Sequence, residues 1–345
     1  MNTYSRKLDI KHGRVEMVHG GGGRTAAQLI DEIFLRAFRN ESLHALEDAA
    51  SLGHHQGQLV VATDSHVVSP LFFPGGDIGS LALHGTVNDV AMAGARPLAI
   101  TAGFILEEGL PLIDLQRIAA SMAEAAREAG VPVVAGDTKV VEKGKGDGCF
   151  INTTGIGIVR PGVSISARNA KPGDTIIVSG GIGEHGVAIM SLRENLRFDT
   201  KIYSDTAPQH DLVAAMLDAV PRIHAMRDPT RGGLGSVLNE IARQSKVGML
   251  IREQDIPIKH AVRAACELLG LDPLYVACEG RLVTFCAPED APALLAAMQA
   301  HPQGRNAAII GEVRDDDECF VEMHTAFGGN RIVDWLTGEQ LPRIC

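Results

Sequence analysis

Apolar residues first fall into a clear period at Leu29, Ile30, Ile33, Phe34, Ala37 and Phe38. That spacing lies on one face of a 3.6-residue turn and predicts a helix. A short strand is predicted before it at residues 15–18, followed by the loop His19-Gly20-Gly21-Gly22-Gly23. Strands are predicted next at 42–49 and 59–63, a helix at 78–93, and a strand at 98–106. Pro111 opens a helix with Leu115, Ile118, Met122, Ala126 and Ala129 on one face, because proline suits the first turn. Strands at 131–134 and 150–159 complete this half.

Residues 160–174 are rich in turn formers, with Arg160-Pro-Gly at one end and Lys171-Pro172-Gly173-Asp174 at the other, and mark a boundary. Beyond it the alternation resumes. Strands are predicted at 175–179, 248–251, 282–286, 307–313 and 319–324, and helices at 183–196, 211–219, 233–244, 261–269 and 291–300. From Gly328 the chain reads as a polar arm with Trp335 as its one large apolar anchor. The pattern predicts an α/β chain of α+β type in two domains, 1–165 and 166–327, followed by a flexible tail, 328–345.

Composition narrows the function. A chain of 345 residues with 45% hydrophobic and 21% charged residues is an ordinary globular balance for two cores. Its net charge of -10 argues against nucleic acid as a partner. It leaves phosphate ligands open, since Mg²⁺ bridges them to carboxylates. No apolar run approaches the roughly 18 residues of a membrane span, and the charged amino terminus is no secretory signal. The six cysteines form no CxxC pair and predict reduced thiols in a cytoplasmic protein without membrane insertion.

Several acidic residues stand at predicted strand ends or loops: Asp48, Asp64, Asp89 and Asp137. Singly, each reads as a helix cap or turn residue. Together, beside glycines, they suit Mg²⁺ held through phosphate oxygens. The Gly20 to Gly23 loop offers bare amides to a phosphate, or is a simple turn. Gly181-Ile-Gly183-Glu-His-Gly186 matches the dinucleotide pattern GxGxxG, but the polar run after it lacks the second strand of a Rossmann unit. Asp228-Pro-Thr230-Arg231-Gly232-Gly233 precedes a helix that Thr230 or Asp228 would cap, while Arg231 could meet a carboxylate or phosphate. Lys139 and Glu279 read on their own as ion-pair members. Cys345 ends the chain; its α-carboxylate should raise the thiol pKa and Arg343 could offset that.

The stretches LEDAA, ATDSHVVSPLFFPGGDIG, GTVNDVAMAGARPL, GDTKVV and DPTRGG resemble the ATP-binding superfamily of aminoimidazole ribonucleotide synthetase, thiamine-monophosphate kinase and selenophosphate synthetase, the PurM-like proteins. HGGGG, FFPGGDIG, GFILEEGLP, SGGIGEHG and the ending PRIC narrow the resemblance, over nearly the whole chain, to the HypE family of hydrogenase maturation factors. That resemblance implies a PurM-like fold of mixed sheets flanked by helices, in a homodimer with ATP near the interface of the first-domain sheets. Asp48, Asp64, Asp89 and Asp137 would surround Mg²⁺ and phosphates, Asn88 and Thr138 would assist, and Gly20, Gly21, Gly22 and Gly23 would close over the nucleotide. Cys345, Lys139 and Glu279 would be catalytic.

The implied reaction is ATP-dependent dehydration of a carbamoyl group on Cys345 to a thiocyanate, through a phosphorylated thiocarboxamide. A carbamoyltransferase, HypF, would load the cysteine. A HypC–HypD scaffold complex would accept the cyanide for the iron of nickel–iron hydrogenase. Two alternatives remain at this point. A small-molecule kinase or synthetase of the superfamily would work without Cys345, and a non-catalytic nucleotide-binding scaffold would bind ATP without hydrolysing it.

Overall fold

The computed structural model describes residues 7–21, 23–44, 49–194, 201–336, 338 and 343–345. The first apolar period becomes α1 (Gly23–Leu29), which continues through a π-helical turn at Ile30–Phe34 into α2 (Leu35–Phe38). Arg39, at a left-handed φ of 42°, ends it, and the short α3 (Glu41–His44) follows. Next come β1 (Leu59–His66), the small hairpin β2 (Phe72–Phe73) and β3 (Gly76–Asp77), α4 (Ile78–Met92), β4 (Ala95–Glu107), α5 (Leu112–Ala129), β5 (Val133–Val141) and β6 (Cys149–Val159). The four long strands form one sheet in the order β1-β6-β4-β5, with only the β4–β5 pair parallel and α5 as its crossover.

Local chemistry explains the helix ends. The Asp77 carboxylate accepts from the amides of Gly79 (2.7 Å) and Ser80 (3.1 Å) and so starts α4. Gly130, at φ 64°, closes α5. Leu115, Ile118 and Met122 on the apolar face of α5 are wholly buried, a contribution of roughly 1.5–3 kcal/mol each. Helix α4 is buried on nearly every side, because it lies on the sheet with its other flank against the second half of the chain. It comes so close to β6 that a Cβ at Gly157 would stand 2.4 Å from Val90 Cγ1.

The second half adds β7 (Thr175–Val178), α6 (Glu184–Arg193), α7 (His210–Ala219), β8 (Ala225–Arg227), α8 (Gly233–Ser245), β9 (Gly248–Arg252), α9 (His260–Leu269), β10 (Val283–Cys286), α10 (Ala291–Ala300), β11 (Ala308–Arg314), β12 (Val321–His324) and β13 (Asn330–Ile332). Its seven-stranded sheet runs β13-β12-β9-β11-β7-β10-β8, with β9–β12 the parallel pair. Phe285 of β10 sits at the centre of that core. Ala91 and Met92 of α4 pack with Ile177, Leu212 and Met216, so the two halves share an apolar seam. No helix among the described residues is long and apolar enough to cross a membrane.

Several local expectations change. Residues 15–18 are not a strand: Arg14 makes one bridge to Pro111, and Met17–His19 is a 3₁₀ turn closed by Glu16 N donating to His19 Nδ1 at 2.8 Å. The strand predicted at 42–49 is helical over Glu41–His44, since Asn40 Oδ1 accepts from Leu43 N at 3.1 Å and starts a turn; residues 45–48, with Asp48, lie outside the described residues. Strand β5 runs on through Asp137 and Lys139, which are therefore within a strand and not beyond its end. The arm after Gly328 contains β13, and its anchors are Val333 and Ile344, both buried, whereas Trp335 is exposed.

Candidate active site

Strand β1 turns alternate residues inward, and the inward set includes Asp64 and His66. They face α4, which carries Asp89. Asp228 follows β8, and Glu279 lies in the loop that leads into β10. Glu279 is fixed by its backbone: its N–H donates to Asp205 Oδ1 at 3.2 Å, and its carbonyl accepts from Asn88 Nδ2 at 3.3 Å. Asn88 also donates to Ala207 O at 3.1 Å and accepts from Gln209 N at 2.7 Å, so it acts on this site through the main chain around Glu279. Asp205 is itself held beside Arg281, 3.7 Å away, which pairs with Glu184 at 2.9 Å.

This gathering of acids perturbs Glu279, Asp89 and Asp228. Burial, then Asp228, Asp205, Asp64 and Asp89, hold the Glu279 carboxyl well above the usual carboxylate range. Burial, then Asp228 and Asp64, push Asp89 up to about 8. Burial raises Asp228 to about 6. Burial lowers His66, against the pull of Asp64, whose Oδ2 lies 3.3 Å from His66 Nε2. Buried like charges resist ionisation together, so the pocket calls for a cation or a proton.

The end of the chain fills the pocket. Val67 N donates to Cys345 O at 3.1 Å and Ser69 N to Arg343 O at 3.2 Å, an edge-like pairing of tail and main chain. Ile344 is buried against the first core. The Cys345 thiol comes under the influence of Glu279, whose Oε1 is buried and without a partner. Burial and then Glu279 hold that thiol far above its ordinary pKa, and Arg231 opposes them. Arg343, expected to supply that opposing charge, pairs with Asp147 instead.

A second group stands apart. Gly20, Gly21, Asp137, Thr138 and Lys139 line a cavity of about 550 Å³, walled on its other side by apolar residues such as Ile30, Phe34 and Phe38. Lys139 Nζ is 2.5 Å from Asp137 Oδ2, and that hydrogen bond lowers the Asp137 pKa. Strand register explains the separation. Ser65, Asn152, Gly103 and Asp137 are aligned across the sheet and share its outer face, which leaves Asp64 on the inner one. Asp137 and Lys139 thus point away from Asp64, whereas Thr138, paired with Phe104, shares the inner face with the apolar wall of the cavity. Gly22 and Asp48 lie outside the described residues.

Hard carboxylate oxygens fit Mg²⁺, yet among the described residues no three His, Cys, Asp or Glu side chains could enclose one ion. The donor set suits an ion completed by phosphate oxygens, with Asp64, Asp89 and Asp228 as the partly buried carboxylates available to it.

Asp228 was legible only as a helix start, and Arg231 as a residue able to meet a carboxylate or phosphate. In fact Gly232, at φ 77°, occupies the cap of α8 and neither Thr230 nor Asp228 caps it, which frees Asp228 and Arg231 for the pocket. Asp205, in the polar run after α6, carried no signal. His66 and His185 had no motif spacing, and only the fold brings them to the tail.

Comparison with known proteins matches residues 46–159 to the family "AIR synthase related protein, N-terminal domain" and residues 171–324 to its C-terminal domain counterpart. The chain is 66% identical to the carbamoyl dehydratase HypE of Azotobacter vinelandii over 339 residues, covering 98% of this chain and 99% of that one. A crystal structure of the hydrogenase maturation protein HypE in complex with ATP superposes with a TM-score of 0.92 at 49% identity, over 95% of this chain and 99% of that one. HypE from a crystallised HypE–HypF complex is 52% identical, with a TM-score of 0.79, over 89% of this chain and 99% of that one.

Proposed function

The chain belongs to the HypE family of carbamoyl dehydratases, within the AIR synthase related proteins, and we propose that it dehydrates a carbamoyl group on its own Cys345 at the expense of ATP. The observation that carries this reading is the docked tail, whose Arg343, Ile344 and Cys345 carbonyls are held by Ser69, His185 and Val67, which sets Cys345 among the acidic groups around Glu279. A tail in that position occupies the space a free metabolite would need, which favours this reading over a small-molecule kinase.

The chemistry balances as follows. The carbamoyl oxygen of Cys345 S–C(=O)–NH₂ attacks the γ-phosphorus of ATP, and ADP leaves. The resulting phosphate ester is a better leaving group than the amide oxygen. Loss of two protons from nitrogen and expulsion of phosphate leave S–C≡N. Glu279 is the acceptor for one of those protons. A carboxyl held in its neutral form can accept only after positive charge offsets its acidic neighbours. A bound divalent ion would supply that positive charge and stabilise the transferring phosphoryl group. Arg231 acts on Cys345 already.

The glycine-flanked cavity, with an apolar wall for a base and Asp137, Thr138 and Lys139 at its rim, is the nucleotide pocket. The outer face of the first sheet exposes Leu59, Val61 and Ile105, and we assign it to a homodimer interface. A HypF-type carbamoyltransferase is the donor, a HypC–HypD complex the acceptor, and the cytoplasm the setting, consistent with six cysteines free of disulfides. The test starts from chain carbamoylated by the transferase. On addition of Mg·ATP, mass spectrometry should find loss of one water from the C-terminal peptide. A modification mapped to Cys149, Cys266, Cys278, Cys286 or Cys319 would overturn the assignment.

A further inference from the structure

The GIGEHG segment, set aside as a false dinucleotide signature, contacts the chain's own end. Gly186 N donates to Ala277 O at 3.1 Å and ties the start of α6 to the loop that carries Glu279. A Cβ on Gly186 would stand 2.4 Å from Val276 Cγ1 and 3.2 Å from Ile344 Cδ1, so the missing side chain makes the socket for Ile344. Beside it, His185 is fully buried. Its Nε2 lies 2.7 Å from the Ile344 carbonyl and its Nδ1 lies 2.7 Å from Ser204 Oγ.

The roles of the two nitrogens can be assigned. A carbonyl only accepts, so Nε2 carries the proton. Burial lowers the His185 pKa to about 4, so the ring is neutral near pH 7 and Nδ1 accepts from the Ser204 hydroxyl. The ring also packs edge-on to Phe73, with centroids 5.5 Å apart. A buried histidine with one N–H thus spends it on a residue at the chain end, 159 positions away. The neighbouring tail carbonyls are engaged too: Arg343 O accepts from Ser69 N and Arg193, and Cys345 O accepts from Val67 N. Hydrogen bonds to three successive main-chain carbonyls, plus one apolar pocket, hold the tail as proteins hold a bound peptide.

We propose that His185 and Gly186, in the first turn of α6, form a receptor for the C-terminal tail and that His185 is a positioning residue, whose Nε2–H holds Ile344 so that Cys345 reaches Glu279. This rests on the reading of Cys345 as the reacting group. The docked thiol is shielded and protonated, so loading requires release and dehydration requires return. His185 sets the balance between them: on release, its buried N–H loses its partner, which favours return.

Two rates test this in the full-length chain. The first is alkylation of unmodified Cys345 by iodoacetamide, read by peptide mass spectrometry, which follows the released fraction. His185→Leu and Ile344→Ala should each raise it by roughly tenfold, the scale of one net hydrogen bond or one partly lost apolar contact. His185→Gln, which retains an N–H at that reach, should restore most of the protection. The second is single-turnover dehydration of carbamoylated chain at saturating Mg·ATP, which should fall by a similar factor in His185→Leu with unchanged ATP affinity. If His185→Leu does not fold, Ile344→Ala and Ser204→Ala decide by the same alkylation rates. Wild-type alkylation rates in these variants would overturn the proposal. A wild-type chain that keeps its carbamoyl group with ATP present would remove the dehydratase reading instead, and the alkylation rates would still decide the receptor.

Discussion

Asp89 lies at the centre of the repulsion in the pocket, and Asp89→Asn should separate binding from stability. The wild-type carboxyl is raised to about 8, first by burial and then by Asp228 and Asp64. In the unfolded chain it titrates near ~3.9. Between those values the folded protein holds a proton that the unfolded chain has released. Stability therefore falls as pH rises through this window, by up to ~1.4 kcal/mol per pH unit. Asp228 titrates in the same window and shares the strain, so we take about 2 kcal/mol as the net penalty accumulated from pH 5 to pH 8. Asparagine has no proton to lose. Without nucleotide or metal, Asp89→Asn should melt near the wild-type temperature at pH 5 and roughly 2–6 °C above it at pH 8. Calorimetry should find weaker Mg·ATP binding by the same variant, because a phosphate-side carboxylate is gone. The assay is differential scanning fluorimetry in chelator at fixed ionic strength across pH 5–9. A melting difference that is constant over that range would refute the reasoning, and so would a less stable variant at pH 8.

Three further outcomes are expected. Glu279→Gln should leave Mg·ATP affinity near wild type and slow dehydration of carbamoylated chain by ~10²–10⁴-fold, read as water loss from the C-terminal peptide; a wild-type rate would remove Glu279 as the proton acceptor. Lys139→Met should weaken ATP binding and lower turnover if the glycine-flanked cavity that its ammonium rims takes the nucleotide, and unchanged calorimetry would exclude the lysine from the phosphates. Val61→Asp places a charge on an exposed strand position of the first sheet and should give monomers by sedimentation with an unchanged far-ultraviolet spectrum; an intact dimer would move the interface elsewhere.

Much of the framework was legible because local signals agreed. Pro111, the apolar face of the following helix and Gly130 delimit α5, and the predicted strand at 150–159 is β6 to within one residue. Residues 42–49 misled because Leu43 and Ala45 alternate with Ser42 and His44 as in a strand, while Asn40 starts a helical turn that only its capping bond reveals. The site was half legible. Motifs supplied Asp64, Asp89, Asp137, Lys139, Glu279 and Cys345, but not their partition. That depends on parity: Asp64 and Asp137 belong to adjacent registers of one sheet and so face opposite ways, which no single segment encodes. The neutral state of Glu279 likewise arises from acids distant in the chain, so it exists only in the fold.

The tail docks beside Glu279 within its own chain, and under the proposed function this would fix the kinetic order of the reaction. A tethered reactant has an effective concentration set by its linker, so dilution does not slow the step and no Michaelis constant applies to the carbamoyl group. Dehydration would be first order in loaded protein and saturable only in ATP. Each chain would deliver one cyano group per loading. The supply of ligand would then scale with the number of chains loaded and unloaded per unit time, and these molecules would count as stoichiometric carriers as much as catalysts.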